Sequence, residues 1–269
     1  MIVTVEHATT YRYQDPVRGV VQSHRLTPAR FDGQRVIDWN VHVSDGVPGG
    51  GFRDGAGDWV QSHSAHGPLS EITVTVTGRV QTVDLAGILR NHRERIPPEA
   101  YLRETGPTRP DAALTELGRD AISGVDAALD AAHRLAEAVA GAIAYRPGST
   151  HAHTTAAEAL SLGEGVCQDH AHALIAAARS QEIPARYVCG YLCDEGEIAY
   201  EASHAWAELW VAGLGWVGFD PANACCPDGR YIRLGSGLDA RAAAPIRGVA
   251  RGGALENLEV HVSVNEAQQ

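Results

Sequence analysis

The stretch Gly163-Glu164-Gly165-Val166-Cys167-Gln168-Asp169-His170-Ala171-His172 combines a glycine-rich turn with the start of a helix. This stretch indicates the fold of the second half of the chain. The glycines predict a turn, and Cys167 is expected in the first turn of a helix that runs to about Arg179 and stops before Pro184. The partial positive charge at a helix N-terminus favours the thiolate form of a cysteine. Cys167 is therefore a candidate nucleophile, and the alternative is a small buried hydrophobe.

Two further motifs lie downstream, Ser203-His204-Ala205-Trp206 and Trp216-Val217-Gly218-Phe219-Asp220-Pro221. The turn formers Ala212-Gly213-Leu214-Gly215 lie nearly midway between His204 and Asp220, which predicts a hairpin. Residues that face each other across such a pair are about 5 Å apart at Cβ, so the two side chains are expected to meet. The alternatives are a packed strand histidine and an aspartate that begins a turn.

A cysteine, a histidine and an aspartate could together perform nucleophilic catalysis. This chemistry needs a thiolate, a partner that shuttles its proton and a third group that orients the partner. The backbone N–H of Cys167 is the natural first donor to an oxyanion, and a second is expected near Tyr145 or His151. Gln168 would line the site or cap the helix, and Trp206 is a further candidate for contact with substrate.

Paired histidines at 151/153 and 170/172 suggest a metal site as an alternative. Positions i and i+2 of a helix point about 200° apart, so His170 and His172 are poorly placed to share one ion. The chain also lacks the paired C-x-x-C and H-E-x-x-H patterns of zinc sites. We therefore expect neither a metal nor an organic cofactor. A zinc protein that uses His170, His172 and Cys167 is the competing interpretation.

Composition narrows the classes of partner. A formal net charge of -11 argues against a sequence-independent nucleic-acid surface or an anionic-membrane surface, since both need clustered Lys and Arg. We find no apolar segment near the ~20 residues that span a bilayer and no signal peptide at the start. Five cysteines leave at least one thiol unpaired, which is typical of a reducing compartment. We expect a cytoplasmic protein.

The chain is expected to be α+β, with an antiparallel β domain over residues 1–88 and a second domain over 89–269. Leu69–Thr77 alternates with period two, as a strand does, and Pro-rich segments near 97 and 107 predict a connector. Helical spacing marks 126–144, and Thr155 with Glu158 matches a capping box. The strands expected after the cysteine helix are 185–193, 198–211, 216–220, 231–234 and 258–264.

These motifs resemble bacterial transglutaminase-like proteins. The resemblance covers about residues 145–250 and rests on the motifs around Cys167, His204 and Asp220 together with Ile183–Tyr191. The first ~85 residues resemble, more weakly, the β domain that often precedes this core. The resemblance implies a papain-like core whose cysteine helix packs on an antiparallel sheet. It also implies a triad acting on amides through a thioester, with Cys167 as nucleophile, His204 as general base and acid, and Asp220 as orienter.

The sequence departs from the family pattern in two places. His170 stands where relatives usually carry an aromatic residue. The C-terminal strip, here defined as Tyr231, Leu238, Ala240 and Ala242, differs from the usual Gly-Arg-Asp-Tyr-Ala-Asp, which would change specificity if it lines the cleft.

The expected partner is a peptide or another amide-bearing substrate, and water or an amine would complete the reaction. The alternatives are an amide-forming biosynthetic acyltransferase on a small peptide-like substrate and a non-catalytic binding module on the same scaffold. The sequence does not predict an oligomeric state.

Overall fold

The computed structural model describes residues 1–193, 203–252 and 256–266 of the chain. Within these residues the protein is strand-rich and antiparallel, with two main sheets and a small group of helices, so the predicted α+β class is confirmed. The expected strand 198–211 is found from His204 onward, and its residues 198–202 lie outside the described part.

The elements are numbered in chain order. The strands are β1 (Ile2–His24), β2 (Gln34–Val43), β3 (Gly46–Arg53), β4 (Trp59–Thr82), β5 (Ala144–Tyr145), β6 (Glu164–Gly165), β7 (Ala185–Leu192), β8 (His204–Val211), β9 (Gly215–Phe219), β10 (Tyr231–Gly237), β11 (Ile246–Arg251) and β12 (Glu256–Glu266). The helices are α1 (Ala112–Ile122), α2 (Ala128–Ala142), α3 (Ala156–Leu162), α4 (Cys167–Ser180) and α5 (Ala240–Ala243), with a 3-10 turn at Pro98–Leu102.

The first sheet is built on the long antiparallel pair β1 and β4. On one side β2 and β3 both pair with β4, and on the other side β11 and β12 both pair with β1. The alternating residues Ile72, Val74 and Val76 are buried, as their period-two pattern predicted. This sheet therefore has one face that closes the core of the first domain.

The second sheet has the order β10-β7-β8-β9 and is antiparallel throughout. Helix α4 packs on β7 and β8, while α1, α2 and α3 pack on α4. Four apolar residues of α4, Ala171, Leu174, Ile175 and Ala178, are fully buried. Because α4 is enclosed on almost every side, its polar residues His170, His172 and Arg179 are buried as well, which the amphipathic pattern did not predict.

The predicted boundary between residues 1–88 and 89–269 does not describe the first sheet completely. Strands β11 and β12 come last in the chain, yet they pair with β1. Strand β12 pairs with β1 along Val3–Tyr13. The C-terminal residues therefore complete the first sheet, because β1 would otherwise present an open edge of backbone donors and acceptors.

A buried network of charges joins the two sheets. Arg233 on β10 bonds Asp58 beside β4 at 2.7 Å and Glu208 on β8 at 2.8 Å. Glu208 also bonds Arg186 on β7 at 2.6 Å, and Arg186 in turn pairs with Glu94. Burial opposes the charge of Glu208, but the two arginines lower its pKa to about 2. The carboxylate is therefore ionised throughout the neutral range and holds both cations in place.

Replacing Glu208 with Gln tests this network. We expect Glu208→Gln to lower the free energy of unfolding by about 3–5 kcal/mol, because two buried arginines lose a shared counter-charge. The exposed pair of Asp38 and Arg79 provides a matched control, since Asp38→Asn should change stability by about 1 kcal/mol or less. Urea unfolding of the three proteins measures both effects, and equal stabilities would contradict the role given to the network.

Candidate active site

The cysteine helix begins where the sequence indicated. Cys167 is the first residue of α4 and is half-buried, and Val166 before it has an extended backbone. The side chain of Asp169 folds back so that Oδ2 accepts the N–H of Val166 at 2.8 Å and the hydroxyl of Thr150 at 2.6 Å. A Cβ on Gly165 would lie 2.7 Å from the Cβ of Asp169, so glycine is needed there. The turn before Cys167 is therefore held firmly.

The hairpin of β8 and β9 brings His204 and Asp220 together. The hairpin register pairs Ala207 with Phe219, which puts His204 and Asp220 diagonally across the two strands. His204 Nε2 lies 2.6 Å from Asp220 Oδ2. Cys167 lies within interaction range of His204, because its side chain helps to raise the pKa of the ring. The three predicted side chains thus meet.

Asp220 is buried, and both of its oxygens are used. Oδ2 accepts hydrogen bonds from Tyr231 Oη at 2.8 Å and Asn223 Nδ2 at 2.7 Å, in addition to His204. Oδ1 accepts the backbone N–H of Ala222 at 3.1 Å. Burial raises the pKa of Asp220, but hydrogen bonds and the His204 charge outweigh it, so the pKa is lowered overall. The carboxylate is ionised at neutral pH and fixes the imidazole.

The same contacts favour the charged form of His204. Burial by itself lowers the pKa of His204, but hydrogen bonds with Asp220 and Cys167 raise it to about 10. Because the folded pKa lies above the ordinary value of 6.5, this proton stabilises the folded state fully below about pH 6.5. The contribution is lost as the pH rises through about 10.

Aromatic rings enclose the imidazole. The ring of Trp206 stacks on His204 with centroids 6.2 Å apart, and Tyr231 approaches His204 at 5.8 Å. Trp206 and Tyr231 meet edge to face at 5.5 Å. A Cβ on Gly190 would lie 2.6 Å from the Trp206 ring, so this strand residue is small where the indole packs. The side chain of His204 remains 14% exposed beside the two rings.

Known proteins share this arrangement of domains. The model of the Transglutaminase-like superfamily matches residues 115–221, which hold Cys167, His204 and Asp220. The model of the Bacterial transglutaminase-like N-terminal region matches residues 3–81. Uncharacterized protein ML0607 of Mycobacterium leprae is 30% identical over 273 residues, which are 97% of this chain and 97% of that protein. The chain belongs to the transglutaminase-like superfamily. The resemblance inferred from the motifs is thereby confirmed.

Other similar proteins extend the comparison. Uncharacterized protein Rv2569c of Mycobacterium tuberculosis is 29% identical over 287 residues, covering 97% of this chain and 91% of its own length. A candidate cysteine protease from Cytophaga hutchinsonii has a crystal structure that covers 100% of this chain and 92% of its own, with a TM-score of 0.74 and 20% identity. That likeness shows a shared transglutaminase-like fold.

Three other side chains were predicted to contact substrate or the oxyanion, and their roles stay predictions. Trp206 lies against His204, as described above. Gln168 Nε2 donates to the carbonyl of Ala152 at 3.3 Å, so this side chain connects α4 to the loop before α3. Tyr145 ends β5, is 56% exposed and has its ring 6.3 Å from that of His170. The backbone N–H of His151 donates to Thr154 Oγ1 at 2.9 Å, so it is already engaged.

The histidines considered for zinc have separate environments. His170 Nδ1 and Nε2 lie 3.0 and 2.9 Å from the carbonyl oxygens of Val166 and Ile143. His172 Nε2 accepts the N–H of Ala240 at 3.0 Å, and burial lowers the pKa of His172 to about 4. Among the described residues, no group of three or more His, Cys, Asp or Glu side chains could hold a metal ion.

The C-terminal strip divides into two parts. Tyr231 donates to Asp220 and belongs to the site, whereas the sequence interpretation treated it only as a departure from the family pattern. The carbonyl of Leu238 accepts from Arg179, and the N–H of Ala240 donates to His172, so this part packs on α4. Ala242 donates its N–H to Asp239, the N-cap of the short helix α5.

The sequence did not indicate that Asn223 belongs to the site. Its hydrogen bond to Asp220 depends on the turn that follows Asp220.

The titration of His204 tests the electrostatics. In an NMR pH titration of the ring resonances, assigned with a His204→Gln variant, we expect His204 to titrate near pH 10. Asp220→Asn should move this titration toward 6.5, because the hydrogen bond and charge from Asp220 are removed. Asp228→Asn, an aspartate of the same segment that pairs with Arg230, should leave it in place. A wild-type titration near 6.5 would contradict the described pairing.

Proposed function

We propose that the protein is an amide hydrolase or acyltransferase that uses Cys167 as its nucleophile. The observation that supports this most strongly is the contact chain from the half-buried thiol at the helix start, through His204, to the buried carboxylate of Asp220. Each member has the chemistry its position requires, since a nucleophile needs a proton partner and the partner needs an orienting group. Membership of the transglutaminase-like superfamily supports the same class of reaction.

The reaction proceeds in two halves. The Cys167 sulfur attacks the carbonyl carbon of an amide, and the pair of electrons from the C=O double bond moves to the oxygen. The backbone N–H of Cys167 faces that oxyanion, because the first turn of a helix has donors without intrahelical acceptors. The C–N bond then breaks, His204 gives its proton to the departing amine, and a thioester remains. His204 next takes a proton from the second nucleophile, which attacks the thioester and restores the thiolate.

Hydrolysis is preferred slightly over transfer as the second half, because the family includes predicted proteases. A transferase requires that an amine reach the thioester before water does, which depends on the shape of the cleft and on water exclusion rather than on the triad. Trp206 and Tyr231 cover the imidazole and are the first residues to affect this balance. Amide formation on a small peptide-like substrate is the alternative within the same chemistry.

We also propose that a peptide or another amide-bearing compound is the partner, rather than nucleic acid or a membrane, since the net charge of the chain is -11. The described part of the chain has no helix that is long and apolar enough to cross a membrane. A reducing cytoplasm suits a half-buried catalytic thiol, because the thiol must stay unoxidised to react.

Trapping of the acyl-enzyme tests the proposal. We expect an amide library to yield a mass adduct on Cys167 that hydroxylamine releases, as it releases thioesters. Cys167→Ala should form no adduct, and His204→Ala should slow adduct formation by roughly 10²–10⁴-fold, because proton transfer to the leaving amine is lost. His261→Ala provides the matched histidine control, because His261 is 74% exposed and lies far from the site in the first sheet.

The outcomes separate the alternatives. A library that gives no adduct on wild type favours the non-catalytic binding module. Amide turnover that persists in Cys167→Ala would overturn the assignment of the nucleophile. Release of the adduct by water alone indicates a hydrolase, and release that requires an added amine indicates an acyltransferase.

A further inference from the structure

A second concave site lies in the first domain. It is a groove of about 790 Å³ between the end of β1, the loop that follows it, β2 and the β3–β4 hairpin. Ligand pockets in proteins typically have volumes of about 300–1,000 Å³. Although the chain has 33 acidic residues, none of the described residues that line this groove is Asp or Glu. We call it the arginine groove, after Arg30, Arg35 and Arg53, which line it.

Within the described residues, none of the three arginines forms a salt bridge. Arg53 Nη1 donates to the carbonyl of Gly57 at 2.8 Å, and Arg35 Nη2 donates to the amide oxygen of Gln81 at 2.9 Å. Burial and the nearby charge of Arg30 lower the pKa of Arg53, with Asp58 acting in the opposite direction. Cations that repel each other across a groove are relieved when an anion enters.

The floor of the groove holds two buried histidines. His24 and His63 are 1% and 7% exposed, and their rings stack with centroids 4.5 Å apart. Burial lowers the pKa of both rings, that of His24 to about 4, so they are neutral at neutral pH. His24 Nε2 bonds the amide oxygen of Gln22 at 2.9 Å, which leaves the lone pair on Nδ1 as an acceptor.

Neither Nδ1 atom has a hydrogen-bond partner within the described part of the chain. Both atoms are also shielded from solvent, so the floor offers a ligand neutral rings and no charge that would oppose the arginines.

Two tryptophans form walls that are already fixed. Trp39 Nε1 donates to the carbonyl of Leu26 at 2.8 Å, which orients its ring. The guanidinium of Arg53 lies 5.8 Å from the ring centroid of Trp59. Rings held in this way present flat apolar surface beside the cations, with little conformational entropy left to lose on binding.

We propose that the arginine groove binds a carboxylate that carries an apolar side chain. The carboxylate would meet the arginines, and the side chain would lie on Trp39 and Trp59. This chemical group exists in a free acylamino acid and in the C-terminal residue of a peptide. The proposal does not rest on the catalytic role of Cys167.

Binding of N-acetyl-L-phenylalanine to the Cys167→Ala protein tests the proposal, with tryptophan fluorescence or calorimetry as the readout. Two analogues each remove one feature: N-acetyl-L-phenylalanine amide lacks the charge and N-acetylglycine lacks the ring. We expect each to bind about tenfold or more weakly, since a charge-assisted bond and a buried ring are each worth at least that factor. Equal affinity for all three compounds would overturn the proposal.

Variants locate the binding. Arg53→Gln and Arg30→Gln should each weaken N-acetyl-L-phenylalanine about tenfold, because each removes one charge from the groove. Arg79→Gln removes an exposed arginine elsewhere in the same sheet and should change nothing. The site is rejected if the groove variants do not affect binding. It is also rejected if binding does not saturate at about 10 mM, a concentration well above the range of specific small-ligand affinities.

The tetrapeptide Ala-Ala-Ala-Phe distinguishes the two sources of the ligand. Tighter binding than N-acetyl-L-phenylalanine indicates a peptide C-terminus, and equal binding indicates a free acylamino acid.

Failure here and failure of the proposed function are distinguishable. The groove test uses a protein without the nucleophile and measures binding alone, whereas acyl-enzyme trapping requires Cys167 and does not require Arg30 or Arg53.

Discussion

The candidate site depends on the contact between the buried carboxylate of Asp220 and the imidazole of His204. A carboxylate removed from water is costly unless its oxygens are bonded, and here His204, Tyr231 and Asn223 all donate to Oδ2. The carboxylate therefore stays ionised inside the protein and holds the imidazole by Nε2. This contact restrains the ring beside Cys167, whose side chain also raises the pKa of His204.

Two parts of the fold contribute side chains to the candidate site. The start of α4 brings the thiol, and its position is set by Asp169 folding back over Gly165. The second sheet brings the other two groups, and its strand β10 carries Tyr231 at one end and Arg233 in the middle. Because Arg233 bonds both Glu208 and Asp58, the strand that supports Asp220 is also the strand anchored to the first domain. The β domain is thus linked by buried ion pairs to the strand that carries Tyr231.

Local signals in the sequence predicted the elements that depend on neighbouring residues. The turn before Cys167, the capping box at Thr155 and the glycine turn of the β8–β9 hairpin are all found, because each is determined within a few residues. Contacts between segments that are distant in the sequence could not be predicted from local patterns. Pairing of β12 with β1 and the donation from Tyr231 to Asp220 require tertiary folding, and no local pattern encodes them. Helix α1 was not predicted, because it directly follows the proline-rich segment that was interpreted as a connector.

The central claim is that Cys167, His204 and Asp220 act as one unit, and alkylation of Cys167 by iodoacetamide, followed by peptide mapping, tests it most directly. The rates are compared for wild type, Asp220→Asn, His204→Ala and the double variant at neutral pH. We predict that each single change slows alkylation and that Asp220→Asn causes no further loss, within a factor of about two, once His204 is absent. Additive losses, or a wild-type rate equal to that of a free cysteine, would contradict the account.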